Sequence, residues 1–413
     1  MSKGNLLYGL YAHGQHIHAG IIGSGGGYTD DQIGYLPDRF DVIAYNKDGT
    51  KSAIFSSGVE GNALEKITFE IIGTGCGKAD FTFRKLPNNT ELAADQRIDI
   101  HLFNDPRPWW SGYILNCPTQ GSTAETYKYT AHGYYNKLEG VVVFADYYNN
   151  EVSNIVSEIA RQTERKAGLN YSRNLLINTN YAIARMQFDG VTAKEALKQL
   201  SDFAIDYVYG VDEHRRLFFK PRNRDVNEQA RFWVAEHLGS YEPTENVEKI
   251  YNVLPIKGAA VDDAGEQWLA TVEDPESQLR YGIREKVLTL PSAYSAADAT
   301  RWGANQLQTL AYPVKSAKAK GLQLEYPLAD GRFSVRKLWT DGEAVITDRA
   351  GIAHNYPISK LKYTISANDG IKCDMELGKQ PETVDTYLAN MDRYAKALEL
   401  LQSAATKQIK TGG

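Results

Sequence analysis

Between Phe40 and Tyr135 the chain is cut into six short apolar-rich runs, FDVIAY, KITFEIIG, ADFTFRKL, RIDIHLF, WWSGYIL and TYKYTAHGYY. Most of them alternate apolar with polar residues, which places every second side chain on one face of an extended strand. KDGT, GTGCGK and LPNNT lie between the runs, and turn residues at such short intervals join strands into sheets. The pattern excludes a helical bundle over this stretch and predicts a sandwich or small barrel.

One connection is longer than a turn. NDPRPWWSG separates the alternating Ile98, Ile100 and Leu102 from Tyr113, Ile114 and Leu115. Pro106 and Pro108 donate no ladder hydrogen bond and push the residue before each into extended or turn geometry. The spacing predicts a hairpin with an aromatic-tipped loop, which fits an active site, a carbohydrate platform or the corner of a barrel. Adjacent residues of a strand face opposite ways. Trp109 and Trp110 are therefore expected to divide, one into the core and one toward a partner; burial of both within the chain is the alternative.

Near Tyr147 the period changes. Val152, Ile155, Val156 and Ile159 share a helical face, with Asn149 or Asn150 as cap and Gly168 near the end. After RMQFDG, Thr192 and Glu195 form a capping box ahead of a second helix striped with Ala196, Leu197, Leu200, Phe203 and Ala204. DYVYGVDEHRRLFFKPR reads as a hairpin turning at DEHR. Strands return after NRDVNEQ, interrupted by a helical SAADATRWGANQLQTLAY in which Ala299, Trp302, Leu307 and Leu310 are core candidates. At the end, Val384, Met391, Leu398 and Ala405 recur every seven residues, with Tyr387, Tyr394 and Leu401 between them. This is a heptad seam suited to self-association, or an amphipathic helix lying on its own domain.

Two stretches, Asp95–Gly133 and Asp341–Gly378, share a plan: an acidic start, a short strand, a loop, an aromatic followed by isoleucine, and a final alternating strand. Such a pairing suggests two related barrels flanking the α/β module. The expected organisation is an arm at 1–38, a first β-barrel at 39–148, an α/β module at 149–224, a second β-barrel at 225–380 and a C-terminal helix at 381–413. The fold class is mainly β with an α/β insertion.

Composition narrows the function. With 413 residues the chain exceeds one ordinary core. A net charge of −5 argues against a general nucleic-acid binder. Cys76, Cys117 and Cys373 are widely separated and form neither a disulfide framework nor a thiolate metal site. Twenty-six tyrosines suit half-buried sheets and partner surfaces. No run reaches the ~20 apolar residues of a membrane helix. MSKGNLLYGLYAHGQ carries no leader pattern, which predicts synthesis in the cytoplasm.

Catalytic constellations are weak. His13, His16 and His18 offer imidazoles for a metal but no carboxylate lies among them, so a surface role in a glycine-rich arm is the plainer reading. Asp105 beside the tryptophans, with Glu70, Asp99 and Glu125 on neighbouring runs, gives no tied pair for glycoside hydrolysis. WSG lacks the first glycine of a nucleophile elbow, and GSGGG opens no helix that would cradle phosphate. Neither an enzyme nor a cofactor is expected.

The order of these pieces, KITFEIIGTGCGKADFTFRKL, IDIHLFNDPRPWWSGYI, HGYYNKLEGVVV, the α/β segment and GEAVITDRAGIAHNYPISKLKYTI, resembles phage tail hub proteins over about residues 40–380. The resemblance implies duplicated tail-tube-like barrels and a homotrimer that adapts a six-fold tube to a three-fold tip. It implies as partners the tail tube protein, distal tail or baseplate proteins, a spike and the tape measure protein. DNA would be met only in transit, and no stable membrane association is expected. The protein would be assembled in the host cytoplasm and reside in the virion tail. Trp109, Trp110, Val384, Tyr387, Met391, Tyr394, Leu398 and Leu401 are the expected interface residues. A carbohydrate-binding tail-tip protein and a cell-wall glycan hydrolase are the alternatives.

Overall fold

The computed structural model describes residues 34–57, 63–84, 92–118, 126–260, 267–290, 293, 295–328, 331–366 and 370–378. The histidine cluster, most of the expected arm and the heptad seam lie outside them.

The six runs of the first third form β1 (Phe40–Tyr45), β3 (Leu64–Ile72), β4 (Gly75–Phe83), β5 (Arg97–Leu102), β6 (Trp110–Asn116) and β7 (Tyr127–Gly133), and a strand not expected from the sequence, β2 (Lys51–Ser56), joins them. The middle contains β8 (Val142–Glu151), α1 (Val152–Ala167), β9 (Ala182–Thr192), α2 (Ala193–Phe203), β10 (Tyr207–Val211) and β11 (Leu217–Pro221). Next come β12 (Val226–Trp233), β13 (Ser240–Asn246), β14 (Val253–Ala260), β15 (Gln267–Glu273), α3 (Pro275–Tyr281), β16 (Leu288–Thr289) and α4 (Ala296–Leu310). The last part adds β17 (Val314–Lys320), β18 (Glu325–Pro327), β19 (Phe333–Val335), β20 (Glu343–Thr347), β21 (Ala353–Ser366) and β22 (Gly370–Gly378).

Mainly β with an α/β insertion is the architecture found, but the strands do not close into two barrels. They join in one open path, β13-β17-β22-β21-β3-β4-β7-β6-β5-β1-β2. The reason is the antiparallel pairing of β3 with β21, which sets Phe69 opposite Tyr363 and Ile71 opposite Leu361. Each half spends an edge on the other rather than on itself. The two stretches of similar plan both fold as three-strand antiparallel meanders, β5-β6-β7 and β20-β21-β22.

One core lies along this sheet, with Phe69, Phe81, Trp109, Trp110, Phe232 and Tyr363 among its fully buried large side chains. A second is built around α1 and α2, whose expected faces, Val152, Ile155, Val156 and Ile159, then Ala196, Leu197, Leu200 and Phe203, are buried. Thr192 caps α2 through the Glu195 amide at 3.2 Å. The α1 cap is Glu151, one residue beyond the expected asparagines, and Asn149 turns with φ +44° instead.

The second core does not stop at β11. Leu254, Ile256, Ala299 and Leu307 belong to it. Arg301 Nε donates to the Phe203 carbonyl and Tyr181 donates to Asp298. The segment 250–312, inside the stretch expected as second barrel, therefore packs with the α/β module.

This module touches the sheet at one tight point, where Val211 of β10 meets Gly75 of β4. Gly75 has φ +114°, and a Cβ there would lie 2.0 Å from the Val211 carbonyl oxygen; Gly73 in the same turn has nothing within 4 Å. Gly75→Ala is predicted to lower the chemical-denaturation midpoint by an equivalent of about 1–3 kcal/mol, and Gly73→Ala to leave it nearly unchanged. Equal midpoints for the two variants would show that this contact is loose.

Candidate functional site

The proline-rich connection between β5 and β6 is a folded knot of polar bonds. Phe103 and Asn104 adopt φ of 57° and 65°, which turns the chain at the end of β5. Asp105 then points inward. Its Oδ1 accepts from the Arg107 amide and Nε, both at 2.9 Å, and its Oδ2 from Arg107 Nη2 at 3.1 Å and Trp109 Nε1 at 3.3 Å. Pro106 fits because its missing N–H costs no bond in so tight a turn.

A second segment completes the cluster from the far half of the chain. Arg336–Asp341 links β19 to β20 as a strap, and successive residues tie different parts of the fold. Arg336 Nη1 donates to the Gln229 carbonyl, and the Lys337 amide to Gln229 Oε1. Lys337 Nζ reaches Asp105 Oδ2 at 3.4 Å and the Pro108 carbonyl at 3.3 Å, and sits 5.6 Å over the Trp109 ring. Thr340 donates to the Ile72 carbonyl at 2.9 Å. Asp341 accepts from Lys220 Nζ at 2.5 Å and from the Asn223 amide. Four of these six residues thus bind the strand after the α/β module, the first half of the sheet and the module itself.

Electrostatics follow from burial and count. Burial acts to raise Asp105, but Lys337 and Arg107 together hold its carboxyl below the usual carboxylate range. Lys337 is lowered because burial outweighs the attraction of Asp105, and the repulsion of Arg107 adds to the lowering. The carboxylate has two cations, while the lysine shares one carboxylate with a competitor.

The turn expected at DEHR lies nearby and is more buried than a hairpin tip should be. Asp212 Oδ2 pairs with Arg216 Nε at 2.7 Å, and its Oδ1 accepts from the His214 and Arg216 amides. Burial, and then Glu213 beside it, push Asp212 up to about 6. Cys76 accepts from the Ser111 amide, and burial pushes its thiol well up, which keeps it protonated and unreactive.

The expected site residues fall as follows. Trp109 and Trp110 are 1% and 0% exposed, so the expectation that one of them meets a partner is corrected. Both faces of β6 are covered from Trp110 to Ile114, and only its end at Leu115 and Asn116 is exposed. Asp99 is buried against Ser111 and Arg97, Glu70 pairs with Lys360, and Asp105 is held as above. Glu125 lies outside the described residues, as do His13, His16, His18 and the seam residues. Among the described residues no group of three His, Cys, Asp or Glu side chains converges as metal ligands.

The sequence reading missed the outward surfaces. On β8, Val143 and Tyr147 are buried while Val142, Phe144 and Tyr148 on the opposite face stand in solvent. VVVFADYY is apolar in both registers, and that is the signal: a ribbon with one face covered by α1 keeps a second apolar face open. A second exposed set, Leu279, Ile283 and Val287, lies from α3 to the start of β16.

No family model and no curated protein matches the chain. Solved structures do. The 43 kDa tail protein of prophage MuSo2 from Shewanella oneidensis superposes with a TM-score of 0.61 at 14% identity, over 82% of this chain and 98% of that one. A tail protein from Neisseria meningitidis MC58 gives 0.56 at 11%, over 83% and 96%. Prophage tail protein gp18 from Listeria monocytogenes EGD-e gives 0.55 at 13%, over 87% and 99%. The fold is that of these phage tail proteins.

The ion cluster makes a signed prediction. A carboxyl lowered in the folded state stabilises above its unfolded value of about 4 and loses that contribution as pH falls through the folded value. Asp105→Asn is expected to lower stability at pH 7 by roughly 3–5 kcal/mol, since it strands buried cations, and to flatten the loss of stability below pH ~4. Denaturation at pH 7 and pH 3 reads both; an unaltered acid limb would remove Asp105 from the account.

Proposed function

We propose that the chain is a structural hub of a phage tail tip or baseplate. It assembles as a homotrimer that adapts the six-fold tail tube to a three-fold tip. The observation that carries this reading is the match of three tail proteins over 96–99% of their own length and 82–87% of this chain. The internal plan supports it. One chain that carries two similar meanders, β5-β6-β7 and β20-β21-β22, offers two related surfaces, and three chains around an axis offer six. Such a ring meets a hexameric tube above and a trimeric part below.

Its work is geometric: it closes the distal end of the tube, starts tube growth and carries the tip. Tube protein, neighbouring baseplate or distal tail proteins, a spike and the tape measure protein are its partners, and DNA passes without lasting contact. The virion tail, assembled in the host cytoplasm, is its place. The two alternatives lose their footing at the loop. Trp109 and Trp110 are enclosed, so they present no stacking platform for a sugar. Asp105 is bound by Arg107 and Lys337 rather than facing a cleft.

Light scattering of the purified chain is predicted to give three times its 46.1 kDa mass, alone or on addition of the tube protein. A chain that stays monomeric in both conditions sinks the hub reading.

A further inference from the structure

The described chain ends at Gly378, which pairs with Ser316 of β17 and presses against the Lys315 backbone. Next along β17 is Val314, paired with Asn246 at the end of β13. The following residue, Val247, is 50% exposed, and its carbonyl accepts from Arg284 Nη1 at 3.0 Å. The chain therefore leaves the described structure beside the segment that runs from α3 to β16.

That segment carries Leu279, the most exposed large apolar side chain among the described residues at 89%, with Ile283 at 71% and Val287 at 57%. Its backbone is not loose. The Arg284 carbonyl accepts from the amides of Asn252 and Val253, the Arg284 amide donates to Asn252 Oδ1, and the Gly282 carbonyl accepts from Asn252 Nδ2. The Lys286 amide donates to Val253. A fixed backbone thus holds three apolar side chains in water, with Val247 pinned alongside, an arrangement that marks a docking surface.

Residues 379–413 follow Gly378 and contain the apolar stripe Val384, Tyr387, Met391, Tyr394, Leu398 and Leu401 at three- and four-residue spacing. Six residues of extended chain reach about 20 Å, and a helix from Val384 to Leu401 is about 26 Å long, so the stripe starts within reach of the patch. We propose that this stripe packs on the Val247–Leu279–Ile283–Val287 surface of its own chain. The site is this apolar surface and its occupant the C-terminal segment, which assigns the seam residues to the chain itself rather than to a bundle of three.

The test is oxidative crosslinking in the full-length chain. The exposed Cys117 is replaced by serine, and Ile283→Cys is combined in turn with Tyr387→Cys, Met391→Cys and Tyr394→Cys. At least one pair is expected to give a disulfide within a single chain, seen as a mobility shift of the denatured monomer. Crosslinks only between chains, or none in any pair, would overturn the proposal. Amide exchange gives a second readout: in a chain ending at Gly378, residues 279–287 are expected to exchange at least ~10-fold faster than in the full chain. Unchanged exchange there rejects the contact. Neither readout depends on whether the chain forms trimers, so the hub reading and this contact fail separately.

Discussion

The pairing of β3 with β21 is the constraint on which the rest of the structure depends. It joins residues 66–72 to 360–366, almost three hundred positions apart, and it is the step that makes one sheet of two meanders. Loop closure over such a distance is expensive and favours late formation, so the contacts made there must repay it. Phe69 and Tyr363 do so by stacking with centroids 4.7 Å apart, and Trp109 meets the Tyr363 ring edge-on at 5.8 Å. The aromatic at the tip of the proline loop is thus part of the joint between halves. That answers what the loop is for: it carries a ring and a carboxylate into the seam.

The strap adds selectivity to that joint. A buried ion pair offers little net stability against an apolar pair of equal volume, but it penalises any arrangement that separates the charges. Lys337 must find Asp105, and Lys220 must find Asp341, before the buried groups are satisfied. Four residues apart on one strap, the two pairs fix the first half of the sheet and the α/β module relative to the second half. A sheet with two similar meanders has more than one plausible way to pair them. The charges distinguish the correct one.

Local chemistry was legible in the sequence and long-range pairing was not. Alternation located β1 and β3 to β7 but passed over β2, apolar spacing located α1 and α2, and Thr192 with Glu195 placed a cap to the residue. The same alternation could not say that β3 would find β21, since any two half-buried edges pair alike; hence one open sheet stands where two barrels were expected. Trp109 and Trp110 were expected to divide between core and partner, an inference that assumed the chain covers only one side there, but both are buried in the same core. Lys337 and the acids of DEHRR left no signal, because a charged side chain reads as solvent-facing until a buried counter-charge is known. The β8 face did leave one, in a run apolar in both registers.

Burial separates the residues that make the two cores from those whose removal leaves the cores intact. Truncating a fully enclosed aromatic such as Trp110 removes a core contact worth about 3–5 kcal/mol, and any loss of assembly would follow from loss of the fold. Phe144, Leu279 and Ile283 stand in solvent on backbones held by other residues, so their removal leaves the cores intact. The sheet edges obey the same logic. Among the described residues β13 pairs only with β17, and it carries Glu242, Pro243 and Glu245, residues that discourage a further strand from adding to it. With that edge guarded, the exposed side-chain faces rather than backbone pairing at β13 are the surfaces left open to a partner.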